Sequence, residues 1–113
     1  MSDDYCYLTT TGRRTGRPHR IEIWYAKAGN TLYLLSGGGR SSDWVQNMLN
    51  DPAVMVEVDG VEHRAGARVL AGDSDEAQLA RTLVFDKYAP RSGDGLTDGR
   101  QRSQPVALDV TDQ

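Results

Sequence analysis

A two-residue turn between two alternating stretches constrains the fold more than any other feature of the sequence. Valine occupies every second position of Val54–Val58, and apolar and polar residues alternate again through His63–Val69. A period of two is typical of strands, and the intervening Asp59-Gly60 pair supplies the positive φ angles that tight hairpins require. The sequence therefore predicts an antiparallel hairpin at the centre of the chain.

Four further segments are short and rich in β-branched, aromatic or aliphatic residues, which predicts strands. They are Tyr5–Thr10, His19–Ala28, Thr31–Ser36 and Gln104–Val110. Both faces of Thr31–Ser36 are apolar, which indicates a strand in the middle of a closed sheet. The Ala28-Gly29-Asn30 sequence before it is typical of a tight turn.

Two segments have helical periodicity. The first helix is predicted to begin at Ser41 or Ser42 and to end before Pro52; the second begins at Ser74 and ends before the glycine-rich loop Pro90–Ser103. Their apolar stripes comprise Trp44, Val45, Met48 and Leu49, and Ala80, Leu83, Val84 and Tyr88. The expected fold is mainly β, a six-stranded antiparallel barrel with two helices, in one domain spanning residues 1–113.

Composition excludes several classes of protein. The chain has a single cysteine, Cys6, and no apolar run approaching the ~20 residues of a membrane span. It has no basic segment followed by an apolar one at the start, so we expect no secretory signal and a cytoplasmic location. Neither His19 nor His63 has the ligand spacing of a metal site, and Cys6 is expected to be a small core residue.

The positive charge is concentrated in one segment. Arg13, Arg14, Arg17 and Arg20 fall between Thr9 and Ile21 without an acid, although the net charge of the chain is −3. Guanidinium groups, glycine backbone and threonine hydroxyls suit phosphate, so the segment predicts binding of a small anion rather than nucleic acid. A solvated basic turn would have the same composition.

A second glycine-rich segment runs from Ser36 through Gly37, Gly38 and Gly39 to Arg40, directly before the first helix. Exposed backbone N–H groups near a helix start favour anions, but the lysine of a Walker loop is absent, and a flexible loop is the alternative. The same-side neighbours of Trp24 on its strand, Glu22 and Arg20, are polar, which indicates either a ring-stacking partner or an interface residue. No nucleophile–base constellation is visible, so any enzymatic chemistry would come from a cofactor.

Three stretches of the sequence resemble the deazaflavin (F420)-dependent nitroreductase and quinone reductase family, whose members have the flavin-binding split β-barrel of pyridoxamine-phosphate-oxidase-like proteins. The stretches are LTTTGRRTGRPHRIEIWY at 8–25, LYLLSGGGRSSDWVQNMLNDPAV at 32–54 and RSQPVALDV at 102–110. The resemblance implies an oxidoreductase that binds F420 and passes hydride to a quinone, nitro-aromatic or enone-like acceptor. Few residues precede Leu8, where family members often carry a helical extension, so we expect an open substrate side.

The resemblance also assigns roles to residues. Those matching positions along the coenzyme's phosphate and side chain are Arg13, Arg14 and His19; those matching the segment beside the deazaflavin ring are Glu22, Ile23 and Trp24. Ser36, Gly37, Gly38, Gly39 and Arg40 match the loop on the coenzyme's other side, and Trp44 and Asn47 match helix residues that close the pocket. Tyr88 falls near an aromatic that the family places close to the substrate, and no other catalytic residue is indicated.

Alternatives remain open on the sequence alone. FMN could replace F420 in the same fold, the protein could bind the deazaflavin as a non-catalytic carrier, and a barrel binding single-stranded nucleic acid is disfavoured by the negative net charge. The oligomeric state is undetermined, although a homodimer would give the groove cover.

Overall fold

A computed structural model describes residues 5–36, 42–71, 74–92 and 104–111, with side chains to residue 86 in the third range. The strands are β1 (Tyr5–Thr11), β2 (Pro18–Trp24), β3 (Ala26–Ala28), β4 (Thr31–Ser36), β5 (Ala53–Val58), β6 (Val61–Val69) and β7 (Gln104–Val110). The helices are α1 (Asp43–Asn50), between β4 and β5, and α2 (Asp75–Ser92), between β6 and β7. The predicted mainly β fold with two helices is confirmed.

The sheet is antiparallel and its two outermost strands are consecutive in the chain. The strand order is β2-β1-β5-β6-β7-β4-β3, and β2 and β3 are separated only by Tyr25. The predicted strand His19–Ala28 is therefore two strands, which raises the strand count from six to seven. The reason is pairing: Trp24 lies opposite Tyr5 of β1, whereas Ala26 lies opposite Tyr33 of β4, at the other edge of the sheet.

The main core lies inside the curled sheet. Leu8, Leu34, Val56 and Leu108 have no exposed surface and belong to one apolar cluster that also contains Cys6. Burying side chains of this size contributes roughly 1.5–3 kcal/mol each. Cys6 is a small buried core residue, as predicted.

Helix α1 closes one end of this core. Val45 is fully buried, Met48 is almost so, and Trp44 packs against the same cluster, as its helical spacing predicted. Ser42 precedes the helix, but its side chain does not cap it. That hydroxyl is instead 2.6 Å from the hydroxyl of Ser36 at the end of β4.

Helix α2 packs on the outer side of the sheet. Ala77, Ala80 and Val84 form a second apolar cluster with Tyr33 of β4 and Ala107 of β7. Both faces of β4 are thereby covered, which explains why both are apolar. The strand is not in the middle of the sheet as predicted, because it lies beside the edge strand β3. The Ser74 hydroxyl accepts a hydrogen bond from the N–H of Ala77 at 3.1 Å, which caps the helix at its predicted start.

The predicted end of α2 was wrong. The helix continues through Pro90 to Ser92, whereas the sequence placed the loop from Pro90 onwards. Pro90 has no N–H to donate to the carbonyl four residues earlier, so the helix loses one backbone hydrogen bond in its last turn. The rest of the predicted loop, 93–103, lies outside the described residues.

An ion-pair network joins α2 to the sheet. The Arg68 guanidinium donates to both carboxylate oxygens of Glu76, at 2.7 and 2.8 Å, and to both of Asp109, at 2.6 and 3.1 Å. The Tyr33 hydroxyl donates to Glu76 at 2.9 Å, and that of Thr31 donates to Asp109 at 2.9 Å. The hydrogen bonds from Arg68 lower the pKa of both carboxyl groups, and burial raises the pKa of Tyr33.

Replacing Arg68 by Gln should lower the free energy of unfolding by about 1–2 kcal/mol at pH 7. The effect is smaller than for a buried network, because water screens these partly exposed charges. The pKa values of Glu76 and Asp109 lie below those of the unfolded chain, so their contribution is complete above about pH 4 and is lost as the pH falls further. The difference between Arg68→Gln and the native protein should therefore shrink towards pH 3 in urea unfolding experiments.

Arg20→Gln is the matched control, because it removes a partly exposed pair with Glu57 at 3.2 Å from another part of the surface. Its effect should stay within about 0.5–1 kcal/mol. An equal cost for both variants, or an Arg68→Gln cost that is constant from pH 7 to pH 3, would contradict the structural role of the network.

Candidate functional site

A cleft lies at the barrel end where β1 finishes and β2 begins, against helix α1. Its volume is about 220 Å³, and it is lined by Gly12, Arg13, Arg14, Thr15, His19, Asp43 and Asn47. The turn between β1 and β2 supplies four of these residues, β2 supplies His19, and α1 supplies two. The cleft thus unites four residues that the sequence singled out, Arg13, Arg14, His19 and Asn47.

Arg13 is held onto α1 through both its backbone and its side chain. The Asn47 Oδ1 accepts from the Arg13 N–H at 3.2 Å and from its guanidinium at 2.8 Å, and the same guanidinium is 3.3 Å from the Asp43 carboxylate. Asn47 is buried, and its amide nitrogen donates to the Thr10 hydroxyl at 3.2 Å. Because buried polar groups must be bonded, this amide fixes the position of the turn relative to the helix.

The turn itself depends on two glycines for different reasons. Gly16 adopts φ +71°, a conformation that other residues rarely adopt, and its N–H donates to the Gly12 carbonyl at 2.8 Å. A Cβ at Gly12 would lie 2.6 Å from the Nε2 atom of His19. Gly12 therefore leaves the space in which the His19 imidazole lies beside the backbone.

The charge of the cleft is positive on balance. Arg13 and Arg14 contribute two cations, and Asp43 contributes one carboxylate that is 89% exposed and already paired with Arg13. Within the ranges that the structure describes, the Arg14 guanidinium has no ion-pair partner. A small anion entering the cleft would meet the Arg14 guanidinium, which has no ion-pair partner among the described residues, beside the Arg13 guanidinium, which α1 holds in place.

The second predicted segment is described only at its borders. Ser36 is buried and its hydroxyl contacts that of Ser42, which holds the two ends of the segment together. Gly37, Gly38, Gly39 and Arg40 lie outside the described residues. Their predicted role in holding a coenzyme stays a prediction.

The segment predicted to run beside the coenzyme ring does not line the cleft. Glu22 lies on the outer face of β2 and accepts a hydrogen bond from the Tyr7 hydroxyl at 3.1 Å, which raises the pKa of Tyr7. Ile23 packs against the main core, and Trp24 packs against the second cluster with its ring 6.5 Å from that of Tyr5. Their roles beside a ring stay predictions.

The remaining predicted residues lie elsewhere. Trp44 packs against the main core from α1, and Tyr88 is in α2, where its side chain is outside the described residues. Sequence reasoning missed Asp43 and Thr10 as partners in the cleft. Asp43 was seen only as a favourable charge in the first helical turn, and a local pattern cannot reveal its contact with Arg13.

The described residues contain no candidate metal site and no candidate membrane-spanning helix. Among the described residues, no group of three His, Cys, Asp or Glu side chains could hold a metal ion. Neither helix, over its described part, has the length and apolarity needed to cross a membrane.

Solved structures share this fold. An F420-H2 dependent reductase, FDR-A, matches over 98% of this chain and 96% of its own, with TM-score 0.76 and 19% identity. A FAD-binding protein from Mesorhizobium loti matches over 98% and 83%, with TM-score 0.70 and 17% identity. HutZ, a heme storage protein from Vibrio cholerae, matches over 99% and 84%, with TM-score 0.74 and 15% identity. The fold is therefore a split β-barrel of the kind found in cofactor-binding proteins.

The family is more specific than the fold. The chain belongs to the F420H(2)-dependent quinone reductase family, whose model matches residues 1–108. It is an oxidoreductase that uses F420, and the resemblance noted in the sequence is confirmed. No curated protein matches the sequence.

The described residues fit the anionic part of such a coenzyme. Arg14, which has no ion-pair partner among the described residues, suits a phosphate together with the threonine and histidine beside it. A cleft of about 220 Å³ is smaller than the ~300–1,000 Å³ of typical ligand pockets, so it would hold part of the coenzyme rather than all of it.

Exchanging each glycine for alanine should separate the two glycine roles. Gly16→Ala should cost about 1–2 kcal/mol of stability, because the residue keeps a positive φ although open space surrounds it. Gly12→Ala should cost less, because the clash is with the end of an exposed side chain, but it should displace the His19 imidazole from the cleft.

Thermal unfolding measures the first effect, and the NMR signals of the His19 ring measure the second. An unchanged His19 ring environment in Gly12→Ala, or a larger stability loss there than in Gly16→Ala, would contradict these assignments.

Proposed function

We propose that this F420-dependent reductase binds the coenzyme's phosphate in the cleft between the β1–β2 turn and α1, and passes hydride to a quinone, nitro-aromatic or enone-like acceptor. The observation that carries the proposal is the contrast between two neighbouring arginines. Arg13 is fixed by Asn47 and Asp43, whereas Arg14 reaches the same cleft without a carboxylate partner among the described residues.

The two arginines would then have different tasks. Arg13 sets the shape of the turn, since three of its donor atoms are used by α1. Arg14 supplies the charge that binds the anion, and His19 and Thr15 supply further donors beside it. Preformed geometry of this kind lowers the entropic cost of binding.

The chain's contribution to the reaction is positional. When bound, the reduced deazaflavin supplies the hydride, and hydride transfer needs alignment and a dry face more than acid–base help. The proposal also includes contributions to that alignment which rest on the family resemblance. They are predicted for Glu22, Ile23, Trp24, Ser36, Gly37, Gly38, Gly39, Arg40, Trp44 and Tyr88.

FMN is the second candidate coenzyme, and a non-catalytic deazaflavin carrier is the second candidate function. A cleft of about 220 Å³ with one uncommitted guanidinium suits the single phosphate of FMN as well. The fold alone does not distinguish FMN from F420, because proteins that share one fold can bind different cofactors.

The coenzyme proposal is tested by titrating the purified protein with oxidised F420 and, in parallel, with FMN, following the fluorescence of Trp24 and Trp44. Saturable binding of F420 with little binding of FMN is expected. Arg14→Ala should weaken F420 binding about tenfold, because a charge-assisted hydrogen bond to a phosphate is lost.

Arg64→Ala is the control, because it removes one exposed arginine from β6 that does not line the cleft. Equal F420 affinities for Arg14→Ala and Arg64→Ala would reject the phosphate assignment. Preference for FMN would reject F420, and tight F420 binding without turnover of any acceptor class would favour the carrier.

We also propose that the outer face of β1 mediates homodimer formation. Tyr5 and Tyr7 are 39% and 37% exposed on this face, beside Trp24, and aromatic residues are enriched at interfaces.

Tyr5→Ser combined with Tyr7→Ser should shift the mass measured by light scattering towards the monomer. Leu79→Ser, at a 44% exposed position on α2, should leave it unchanged. A native protein that is monomeric at every concentration would refute the dimer.

A further inference from the structure

The two ends of the barrel are closed differently. Helix α1 follows the end of β4, precedes the start of β5 and inserts Val45 and Met48 into the main core, so it fills that end. At the opposite end β5 and β6 are joined by the two-residue turn Asp59-Gly60, and β3 and β4 are joined through Gly29 and Asn30. No described helix lies across this second end.

A cavity of about 290 Å³ opens at this second end, which we call the barrel mouth. It is lined by Lys27, Asn30, Leu32, Val58, Val61, His63 and Val110. Leu32 belongs to the main core, and Val58 and Val110 pack against it. The floor of the cavity is therefore the end of the core that faces this opening. Ligands commonly bind in the mouths of β-barrels.

Strand register brings the polar lining residues to the inner face. Lys27 lies directly opposite Leu32, and His63 lies directly opposite Val56, which is fully buried. Directly opposed residues of an antiparallel pair share a face of the sheet. His63 thus lies on the face of β6 that also carries the core residue Ala65, and Lys27 lies on the face that carries the core residue Leu32 on β4.

The charges of the barrel mouth point to an anion. None of its lining residues is acidic, and Lys27 has no ion-pair partner within the part of the chain that the structure describes. The walls are mostly aliphatic, which favours an apolar body over a multiply charged group.

The geometry points to a second ligand site at the barrel mouth, which takes a small monocarboxylate with an aliphatic or aromatic body. The carboxylate lies against the Lys27 ammonium at the rim, and the body lies on Leu32, Val58 and Val110. One lysine balances one carboxylate, whereas a phosphate or a dicarboxylate would leave charge unbalanced over aliphatic walls. The site is separate from the phosphate cleft, which lies at the α1 end, and it does not depend on the proposed function.

The test is a titration of the ¹⁵N-labelled protein with hexanoate, followed by amide chemical shifts, with hexanol as the neutral probe of similar size. Saturable shifts are expected at Leu32, Val61 and Val110, and not at Gly12 or Arg14. Lys27→Met, which keeps the length of the side chain without its charge, should weaken hexanoate binding about tenfold and leave hexanol binding unchanged.

Two further variants complete the experiment. Arg64→Gln is the charge-matched control, because Arg64 follows His63 on the same strand and does not line the mouth; it should leave hexanoate binding unchanged. Val61→Phe should block the mouth and remove binding of both probes, and it is tolerable because Val61 is 54% exposed.

The proposal is overturned by any of the following results. These are shifts that do not saturate, shifts centred on the Gly12–His19 turn, or an equal loss of hexanoate affinity in Lys27→Met and Arg64→Gln. Thermal unfolding of each variant shows that the affinities compared are those of folded protein. Binding that survives Val61→Phe would likewise reject the mouth as the site.

Discussion

The bend at Tyr25 is the constraint on which the barrel depends. The residues before it form β2, which pairs with β1, and those after it form β3, which pairs with β4; β2 and β3 are the two ends of the sheet order. The sheet therefore curls until its two edges meet at one residue, and the buried Tyr25 ring belongs to the core that this curling creates. The short piece of chain around Tyr25 therefore does two things. It brings together strands that are distant in sequence, and it joins the two edges of the sheet.

Most strands and helices were predictable because their signals are local. Alternation in Val54–Val58, the Asp59-Gly60 turn and the Ser74 cap each report on neighbours in the chain. The bend at Tyr25 was not predictable, because no glycine or proline marks it and the pairing partners of β2 and β3 decide it. Pro90 misled in the opposite way, since a strong local breaker is accommodated in the last turn of α2.

The residues at the cleft could be named from the sequence, but the difference between Arg13 and Arg14 could not. The resemblance assigned Arg13, Arg14 and His19 to the coenzyme's phosphate and side chain, and Asn47 to the helix that closes the pocket. The structure places all four around one cleft, and their roles in binding stay predictions. The sequence treats the two arginines alike, and only the tertiary contact of α1 with the turn distinguishes them. In the same way, the position of Lys27 on an inner face follows from register rather than from its neighbours in sequence.

The hydroxyl contact between Ser36 and Ser42 has a consequence for how such a protein can change. The contact fixes the two ends of the intervening segment at hydrogen-bond distance, with one hydroxyl buried in the barrel. The cost of closing a loop rises only slowly with its length, so residues can be added or exchanged between fixed ends with little effect on the strands they join. Those two serines are therefore natural junctions for exchanging the segment 37–41 between barrels that bind different coenzymes, because the exchange would leave β4 and α1 in place.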